Sequence, residues 1–225
     1  MFRKILNALS ELSPLSAVDG TKRIVENRMK EVEFGTLGRS LSCNPLTPRA
    51  FSALENQKIE CVRELKDIER AQKLYAPNPQ NLAQNLGENS HDSQNPRNSQ
   101  NLAQNLAQNP QRAIVIDTTL QKDISLVADA RAYAPFLIIH KDIFISKYQI
   151  LEALVYGADC VALSPIILPQ SSLLELQNYA YHLGLEVAIL ANKKEHFTIE
   201  TRIFVTKKKW LDSAPVRNGE LIFAL

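Results

Sequence analysis

The chain has 225 residues, of which 45% are hydrophobic, 22% are charged and 7% are aromatic, and its formal net charge is +2. The apolar fraction is sufficient for a folded core, and the near-neutral charge gives no reason to expect nucleic acid or an acidic membrane surface as a partner. No stretch of about 18 uncharged apolar residues is present, which excludes a membrane-spanning helix. The first residues also lack the apolar run of a signal peptide, so the sequence predicts a cytoplasmic protein.

Cysteine and histidine spacing gives no sign of a metal site or of a disulfide framework. Cys43, Cys61 and Cys160 lie far apart, and the four histidines show no metal-binding spacing. This usage is typical of proteins in a reducing compartment. The glycine-rich phosphate loops of nucleotide-binding proteins are also absent. We therefore expect neither a metal nor a cofactor.

In the first third of the chain, apolar residues recur with a helical period. This period predicts helices over 23–32 and 59–74, separated by a segment that contains Pro45 and Pro48.

Residues 78–111 differ sharply in composition from the rest of the chain. Of these 34 residues 16 are Asn or Gln, and the heptapeptide QNLAQNL occurs at 80–86 and again at 100–106. Such a segment buries too little apolar area to offset the entropy of ordering, so we expect a disordered insert in a loop. A Gln/Asn-rich interaction segment is the alternative.

After the insert, short apolar runs alternate with helical patterns. Strands are predicted at 113–117, 136–140, 160–164 and 186–190, with weaker ones at 202–206 and 220–224. Helices are predicted at 120–133, 147–156 and 170–183, and Gly157 and Gly184 stand just after the last two of these. This alternation indicates βαβ units around a parallel sheet, so the predicted fold class is α/β.

Polar side chains follow the ends of the predicted strands, where parallel α/β folds place their ligand-binding groups. The candidates are Asp117, His140, Lys141, Asp142, Ser164 and Asn192. Lys141 is the most informative, because a partly desolvated lysine can serve as a general acid or as a Schiff-base nucleophile. The alternative is a lysine that only forms an ion pair with Asp142 or another nearby carboxylate.

The stretch FLIIHKDIFISKYQILEALVYGADCVAL at 136–163 resembles the indole-3-glycerol-phosphate synthase family, whose members carry R-K-D-F, then Y-Q-I-x-E-A and then G-A-D. The matching residues are Lys141, Asp142, Tyr148, Gln149, Ile150, Glu152, Ala153, Gly157, Ala158 and Asp159. Two further segments, 37–54 and 171–190, resemble the N-terminal extension and a later βα unit of that family.

The resemblance implies a TIM (β/α) barrel and a cofactor-free reaction of tryptophan biosynthesis. In it, 1-(2-carboxyphenylamino)-1-deoxyribulose 5-phosphate closes to an indole ring with loss of carbon dioxide and water. Lys141 occupies the position of the family's general acid. The family's first strand carries E-x-K, whose nearest match is Glu64 and Lys66, although no Ser-Pro-Ser follows here. By register from Gly184, the family's fifth-strand glutamate is Leu190.

The resemblance to the family also predicts an incomplete barrel, because only about 30 residues follow Glu195 where the family needs three more βα units. The expected organisation is a helical extension over 1–56, a degenerate first barrel unit over 57–77, the insert, and a partial barrel over 112–225. An incomplete barrel would expose a parallel edge strand, which a homo-oligomer would cover.

Two functions remain open at the level of the sequence. The first is the family reaction, catalysed with Lys141 on a small phosphorylated substrate. The second is a catalytically inactive paralogue that acts as a scaffold or binding protein, or has no function, which the apolar Leu190 favours.

Overall fold

The computed structural model describes residues 14–44, 46–51, 57–58, 60–75, 112–120, 122–133, 136–207 and 220–224. The predicted Gln/Asn-rich insert lies outside these residues. The strands are β1 (Gln57–Lys58), β2 (Glu60–Val62), β3 (Ala113–Asp117), β4 (Leu137–Lys141), β5 (Cys160–Leu163), β6 (Glu186–Ala191), β7 (Ile203–Thr206) and β8 (Leu221–Ala224). The helices are α1 (Pro14–Glu31), α2 (Phe34–Ser40), α3 (Leu65–Tyr75), α4 (Ser125–Tyr133), α5 (Lys147–Val155) and α6 (Gln170–His182), with 3-10 helices at Leu41–Cys43 and Lys194–Thr198.

All neighbouring strands pair in parallel, in the order β1-β8-β7-β6-β5-β4-β3-β2. β1 and β2 are separated by a single residue, yet β1 pairs with β8 and β2 pairs with β3. One stretch of chain, 57–62, therefore contacts both ends of the strand order and closes the sheet. Among the described residues this gives seven strand positions, which is one fewer than the eight of a full TIM barrel.

This closure corrects the expectation of an exposed parallel edge. Gln57 and Lys58 are register partners of Phe223 and Ala224, so the last described strand has a neighbour on its outer side. The fold is an incomplete α/β barrel, as the sequence predicts, but its sheet is closed through a split first strand. The described sheet therefore has no exposed edge strand of the kind that was expected to be covered by a homo-oligomer.

The predicted helix over 59–74 is wrong in its first part. Residues 60–62 form β2, with Cys61 paired to Val115 and Val62 to Ile116, and the helix begins only at Leu65. Apolar residues in this segment fit both a short buried strand and a helix, and pairing with β3 decides between the two. The helix predicted over 120–133 likewise begins later, at Ser125.

Alternating side chains divide the strands into an inner face and an outer face. The inner cluster, which fills the barrel, contains Ala113, Val115, Leu137, Ile139, Cys160, Ala162, Ala188, Ile203, Val205, Leu221, Phe223 and, from the N-terminal extension, Phe51. The outer cluster joins the opposite faces of the strands to α3, α4, α5 and α6. Because Val115 and Ile139 belong to the inner face, the next residues of that face in β3 and β4 are Asp117 and Lys141.

A buried aspartate, Asp159, ties the N-terminal extension to the barrel. Its carboxylate accepts hydrogen bonds from the Arg49 guanidinium (Nη2 at 2.8 Å), from Arg131 Nη1 at 2.6 Å and from the Ile138 N–H at 2.8 Å. Asp159 precedes β5 and Arg131 belongs to α4, so three parts of the chain meet at this carboxylate. A buried charge is tolerated here because all of its partners are charged or backbone donors.

Gly157 and Gly184 have φ values of +93° and +80°, as expected for residues that end α5 and α6. No helix among the described residues is long and apolar enough to cross a membrane.

Candidate active site

Asp117 and Lys141 meet at the carboxyl ends of β3 and β4. They are register partners across the two strands, and Lys141 Nζ lies 2.7 Å from Asp117 Oδ2. The side chain of Lys141 is 22% exposed and that of Asp117 is 3% exposed. The pair therefore lies where the inner face reaches the mouth of the barrel, and solvent or a ligand can reach the lysine.

The Asp117 carboxylate is held on both oxygens. Oδ1 accepts hydrogen bonds from the Thr119 hydroxyl at 2.5 Å and from the Thr119 N–H at 3.2 Å, while Oδ2 faces Lys141. Burial raises the pKa of this carboxyl, but the Lys141 charge and the hydrogen bonds from Lys141 and Thr119 outweigh it, so its pKa is lowered below 3.8. Asp117 is therefore ionised near neutral pH.

Arg63 and Cys61, which the sequence interpretation missed, complete the cluster. Arg63 Nε lies 3.4 Å from Asp117 Oδ2, and Cys61 Sγ lies 3.9 Å from the same oxygen. The Arg63 side chain is 50% exposed, and Cys61 packs against the inner cluster. Burial, followed by the Asp117 charge, raises the pKa of the Cys61 thiol. The signal that identifies Arg63 is its position directly after β2, two residues beyond the inward-facing Cys61.

Glu64 and Lys66, predicted as tentative catalytic residues, lie beside the start of α3. Lys66 Nζ contacts Glu64 Oε2 at 2.5 Å, and the two side chains are 73% and 40% exposed, respectively. The hydrogen bond that Lys66 donates to Glu64 raises the pKa of Lys66. The structure gives these residues a surface ion pair with each other and brings neither into contact with Lys141. Their catalytic role stays a prediction.

His140 lies next to Lys141 but on the outer face of β4. Its Nε2 is 2.9 Å from the Thr118 hydroxyl, its ring packs edge-on against Phe144 at 5.2 Å, and its Nδ1 has no hydrogen-bond partner among the described residues. Burial lowers the pKa of this histidine to about 4. This neutral, buried imidazole packs on the outer face of β4, where it contacts Thr118 and Phe144.

Asp142 also faces away from the Asp117–Lys141 pair. Its Oδ1 accepts hydrogen bonds from Lys122 Nζ at 2.6 Å and from the Ile143 N–H at 2.7 Å. The expected alternative for Lys141, an ion pair with a nearby carboxylate, is therefore present, but its partner is Asp117 and not Asp142.

Ser164 and Asn192 follow the ends of β5 and β6, and Leu190 lies within β6 near its end. Leu190 packs against the inner cluster, so the position that the family resemblance gives to a glutamate carries an apolar side chain on the inner face. Ser164 is buried, and its carbonyl accepts hydrogen bonds from Ile167 and Leu168, while the Asn192 N–H donates to His196 Nδ1. Both residues therefore shape the rim of the barrel through their backbones.

A concavity lies on the outside of the barrel, away from this cluster. It has a volume of about 590 Å³ and lies between α6 and the segment before β7, lined by residues that include Leu174, Tyr181, Glu186 and Glu200. None of the polar residues at the carboxyl ends of the strands lines this concavity. We therefore assign the candidate site to the mouth of the barrel.

At the mouth, the arrangement can donate a proton from Lys141 and can attract anions through Lys141 and Arg63. One carboxylate, Asp117, offsets part of their charge and orients the ammonium group. Within the described ranges, no group of three or more His, Cys, Asp or Glu side chains is placed to hold a metal ion.

The strands that carry this cluster are similar to a known protein family. Residues 115–205, from β3 to β7, match the family model described as indole-3-glycerol phosphate synthase. Relatives with that name include those of Campylobacter concisus (34% identity, 75% of this chain and 60% of the relative), Campylobacter hominis (28%, 78% and 63%) and Sulfurimonas denitrificans (30%, 77% and 62%). The chain thus spans less than two thirds of the length of these relatives. The matched segment contains both Asp117 and Lys141, so over β3 to β7 this chain is similar to the indole-3-glycerol phosphate synthase family.

Proposed function

We propose that this protein catalyses the ring closure of 1-(2-carboxyphenylamino)-1-deoxyribulose 5-phosphate, with Lys141 as the general acid. The observation that carries the proposal is the contact of 2.7 Å between Lys141 Nζ and Asp117 Oδ2 at the carboxyl end of a parallel barrel. The relatives are named indole-3-glycerol phosphate synthase, and this name indicates the reaction. The family model matches residues 115–205, which include Lys141.

In the proposed reaction, Lys141 donates a proton to the ribulose carbonyl oxygen as the aromatic ring attacks the carbonyl carbon. The aromatic carbon that carries the carboxylate then loses carbon dioxide. Lys141, whose side chain is 22% exposed, takes up a proton from solvent and donates it to the new hydroxyl, which leaves as water. Loss of water requires removal of a proton from the carbon next to the nitrogen, for which Asp117 is the carboxylate nearest to Lys141. The lowered pKa of Asp117 makes it a weak base, so we expect slow turnover.

Arg63 is the residue that we expect to bind one of the two anionic groups of the substrate. Half of its side chain is exposed, and its Nε faces Asp117. Among the described residues its terminal guanidinium nitrogens contact no carboxylate, so they can bind a carboxylate or a phosphate of the substrate. In the cluster formed by the described residues, Arg63 and Lys141 give two positive charges against the one negative charge of Asp117, which suits a substrate with two anionic groups.

The second candidate is a binding protein that retains the ligand without the chemistry. Leu190 favours it, because a leucine on the inner face cannot exchange protons or stabilise a cationic intermediate. Under this alternative the ligand would bind at the mouth with Arg63 and Lys141 and would leave unchanged.

Fluorescence of indole-3-glycerol phosphate, followed during incubation of the full chain with the substrate, tests the proposal. We expect turnover that Lys141→Met abolishes and that Lys147→Met leaves intact, since Lys147 is a surface lysine in α5 paired with Glu175 at 2.7 Å. A folded protein that binds the substrate in calorimetry but forms no more product than Lys141→Met would instead support the binding protein. Absence of both binding and turnover would contradict both candidates.

A further inference from the structure

A series of polar contacts connects the N-terminal helix with the strand ends at the mouth of the barrel. It begins in α1 at Arg28, whose Nη1 donates to Glu152 Oε2 at 2.8 Å and whose Nη2 donates to the backbone carbonyl of Lys122. The hydroxyl of Tyr148 donates to the carbonyl of Arg28 at 3.2 Å. The planar guanidinium thus joins α5 to the loop after β3 through two separate hydrogen bonds.

Lys122, the residue that Arg28 contacts, has an unfavourable backbone conformation. Its φ is +56°, in the left-handed region that residues other than glycine rarely adopt. Its N–H donates to the Thr118 carbonyl at 2.8 Å, and its ammonium group lies 2.6 Å from Asp142 Oδ1. Such a conformation persists only when surrounding contacts enforce it, and here those contacts come from Arg28, Thr118 and Asp142.

The same turn carries the groups that hold Asp117. The Thr118 N–H donates to the Lys141 carbonyl at 3.0 Å, and the Thr118 hydroxyl contacts His140 Nε2 at 2.9 Å. Thr119, the next residue, donates both its N–H and its hydroxyl to Asp117 Oδ1. A displacement of the turn would therefore move the donors of Asp117 and weaken its alignment with Lys141.

We propose that Arg28 and Lys122 are positioning residues that fix this turn and thereby hold the Asp117 carboxylate against Lys141. Arg28 acts through the carbonyl of Lys122, and Lys122 acts through Asp142. The N-terminal extension then helps to position the site, although it contributes no side chain to the Asp117–Lys141 pair. The consequence for catalysis rests on the proposed function, whereas the effect on the pair itself can be measured without any substrate.

The test compares Arg28→Lys, Lys122→Asn and the control Arg23→Lys in the full chain. Arg28→Lys keeps the positive charge but replaces the fork by a single ammonium group, which cannot hold Glu152 and the Lys122 carbonyl in the same geometry. Lys122→Asn keeps a residue that tolerates the left-handed conformation and removes the bond to Asp142. Arg23 is an exposed residue of the same helix.

Carbon-detected NMR titration of the Asp117 carboxyl in the ligand-free protein is the primary measurement. We expect the pKa of Asp117 to rise towards its ordinary value in Arg28→Lys and in Lys122→Asn, because the bonds from Thr119 and Lys141 that lower it become weaker. Arg23→Lys should titrate as the unaltered protein does. In an active protein, kcat should fall by about tenfold to a hundredfold in both variants, with little change in KM, since misplacement of a catalytic group by about 1 Å costs this much.

An Asp117 titration that is unchanged in both folded variants would overturn the proposal, even if their melting temperatures fall. A shift in Lys122→Asn alone, with Arg28→Lys unchanged, would also overturn it, because lost positive charge would then explain the shift. If Arg28→Lys shifts the titration but no variant or parent protein turns substrate over, the positioning role holds and the proposed reaction is the part that fails.

Discussion

Asp117 and Lys141 are direct register partners on β3 and β4, and their charged ends meet at 2.7 Å on the inner face of the barrel. Cross-strand partners on one face lie close enough for their side chains to interact along the whole strand pair. Ala113 and Val115 are in the same way partnered with Leu137 and Ile139, so the ion pair continues a row of buried apolar pairs. The transition from apolar to charged pair marks the mouth of the site.

The first prediction concerns the acid sensitivity that Asp117 confers. Its folded-state pKa is lowered, so the unfolded chain binds a proton more readily, and the carboxylate stabilises the fold above its ordinary pKa of 3.8. This contribution is lost as the pH falls through the lower, folded-state pKa. We expect Asp117→Asn to be less stable than the parent at pH 7 and to approach it in stability below pH 3.8, as measured by urea unfolding. A stability difference that does not change with pH would contradict the ion pair.

The second prediction distinguishes Arg63 from the neighbouring charged pair. Arg63→Ala should lower kcat/KM by about tenfold to a hundredfold, since it removes a charged contact to the substrate worth about 1.5–3 kcal/mol. Lys66→Ala should change kcat/KM by less than about twofold, because that lysine pairs with Glu64 on the surface. The reverse order of effects would support the E-x-K assignment at Glu64 and Lys66.

The third prediction restores a carboxylate at the fifth strand of the family pattern. Leu190→Glu should raise kcat by about tenfold or more, because a carboxylate facing the cationic intermediate stabilises the transition state more than the substrate. Leu190→Gln is the matched control of similar size without charge, and we expect no gain from it. A gain in both variants would indicate a polarity effect, and a gain in neither would argue that Asp117 already fills the role.

His140 provides the fourth prediction. Its pKa is lowered from 6.5 to about 4 by burial, so the unfolded chain is protonated below pH 6.5 while the folded protein remains neutral down to about 4. Stability should therefore fall by a few kcal/mol as the pH falls from 6.5 to 4. His140→Gln, which retains a partner for Thr118 and does not titrate, should show a much smaller decrease in urea unfolding over that range. An equal decrease in the variant would assign the acid sensitivity to other groups.

The fifth prediction compares two glycines that share a backbone conformation but differ in their surroundings. A Cβ at Gly157 would lie 2.9 Å from Arg131 Cγ and 3.0 Å from Leu46 Cδ1, whereas a Cβ at Gly184 meets nothing within 4 Å. Gly184→Ala should cost about 1–2 kcal/mol from the left-handed conformation alone. Gly157→Ala should cost more in thermal or urea unfolding, because Arg131 must also move away from Asp159. An equal loss of stability in the two variants would show that Arg131 and Leu46 can move away from the added methyl group at no cost in free energy.

The parallel α/β class could be predicted from the sequence, because apolar runs such as 113–117 and 160–164 alternate with helical periods and with Gly157 and Gly184 at helix ends. The sequence also determined the candidate lysine, since Lys141 directly follows such a run and lies in the segment that resembles the family. These features are local, so spacing and residue type are sufficient to predict them.

Which side chains meet at the mouth depends on contacts between residues that are far apart in the sequence. Periodicity over 59–74 fits a helix, and pairing of 60–62 with β3 is what makes it a strand and brings Arg63 to the mouth. Closure of the sheet through 57–62 depends on β8, which is more than 150 residues away in the chain. The same holds for Asp117 beside Lys141 and for Arg28 at the Lys122 carbonyl, because register and side-chain direction over long separations are set by packing and not by local propensity.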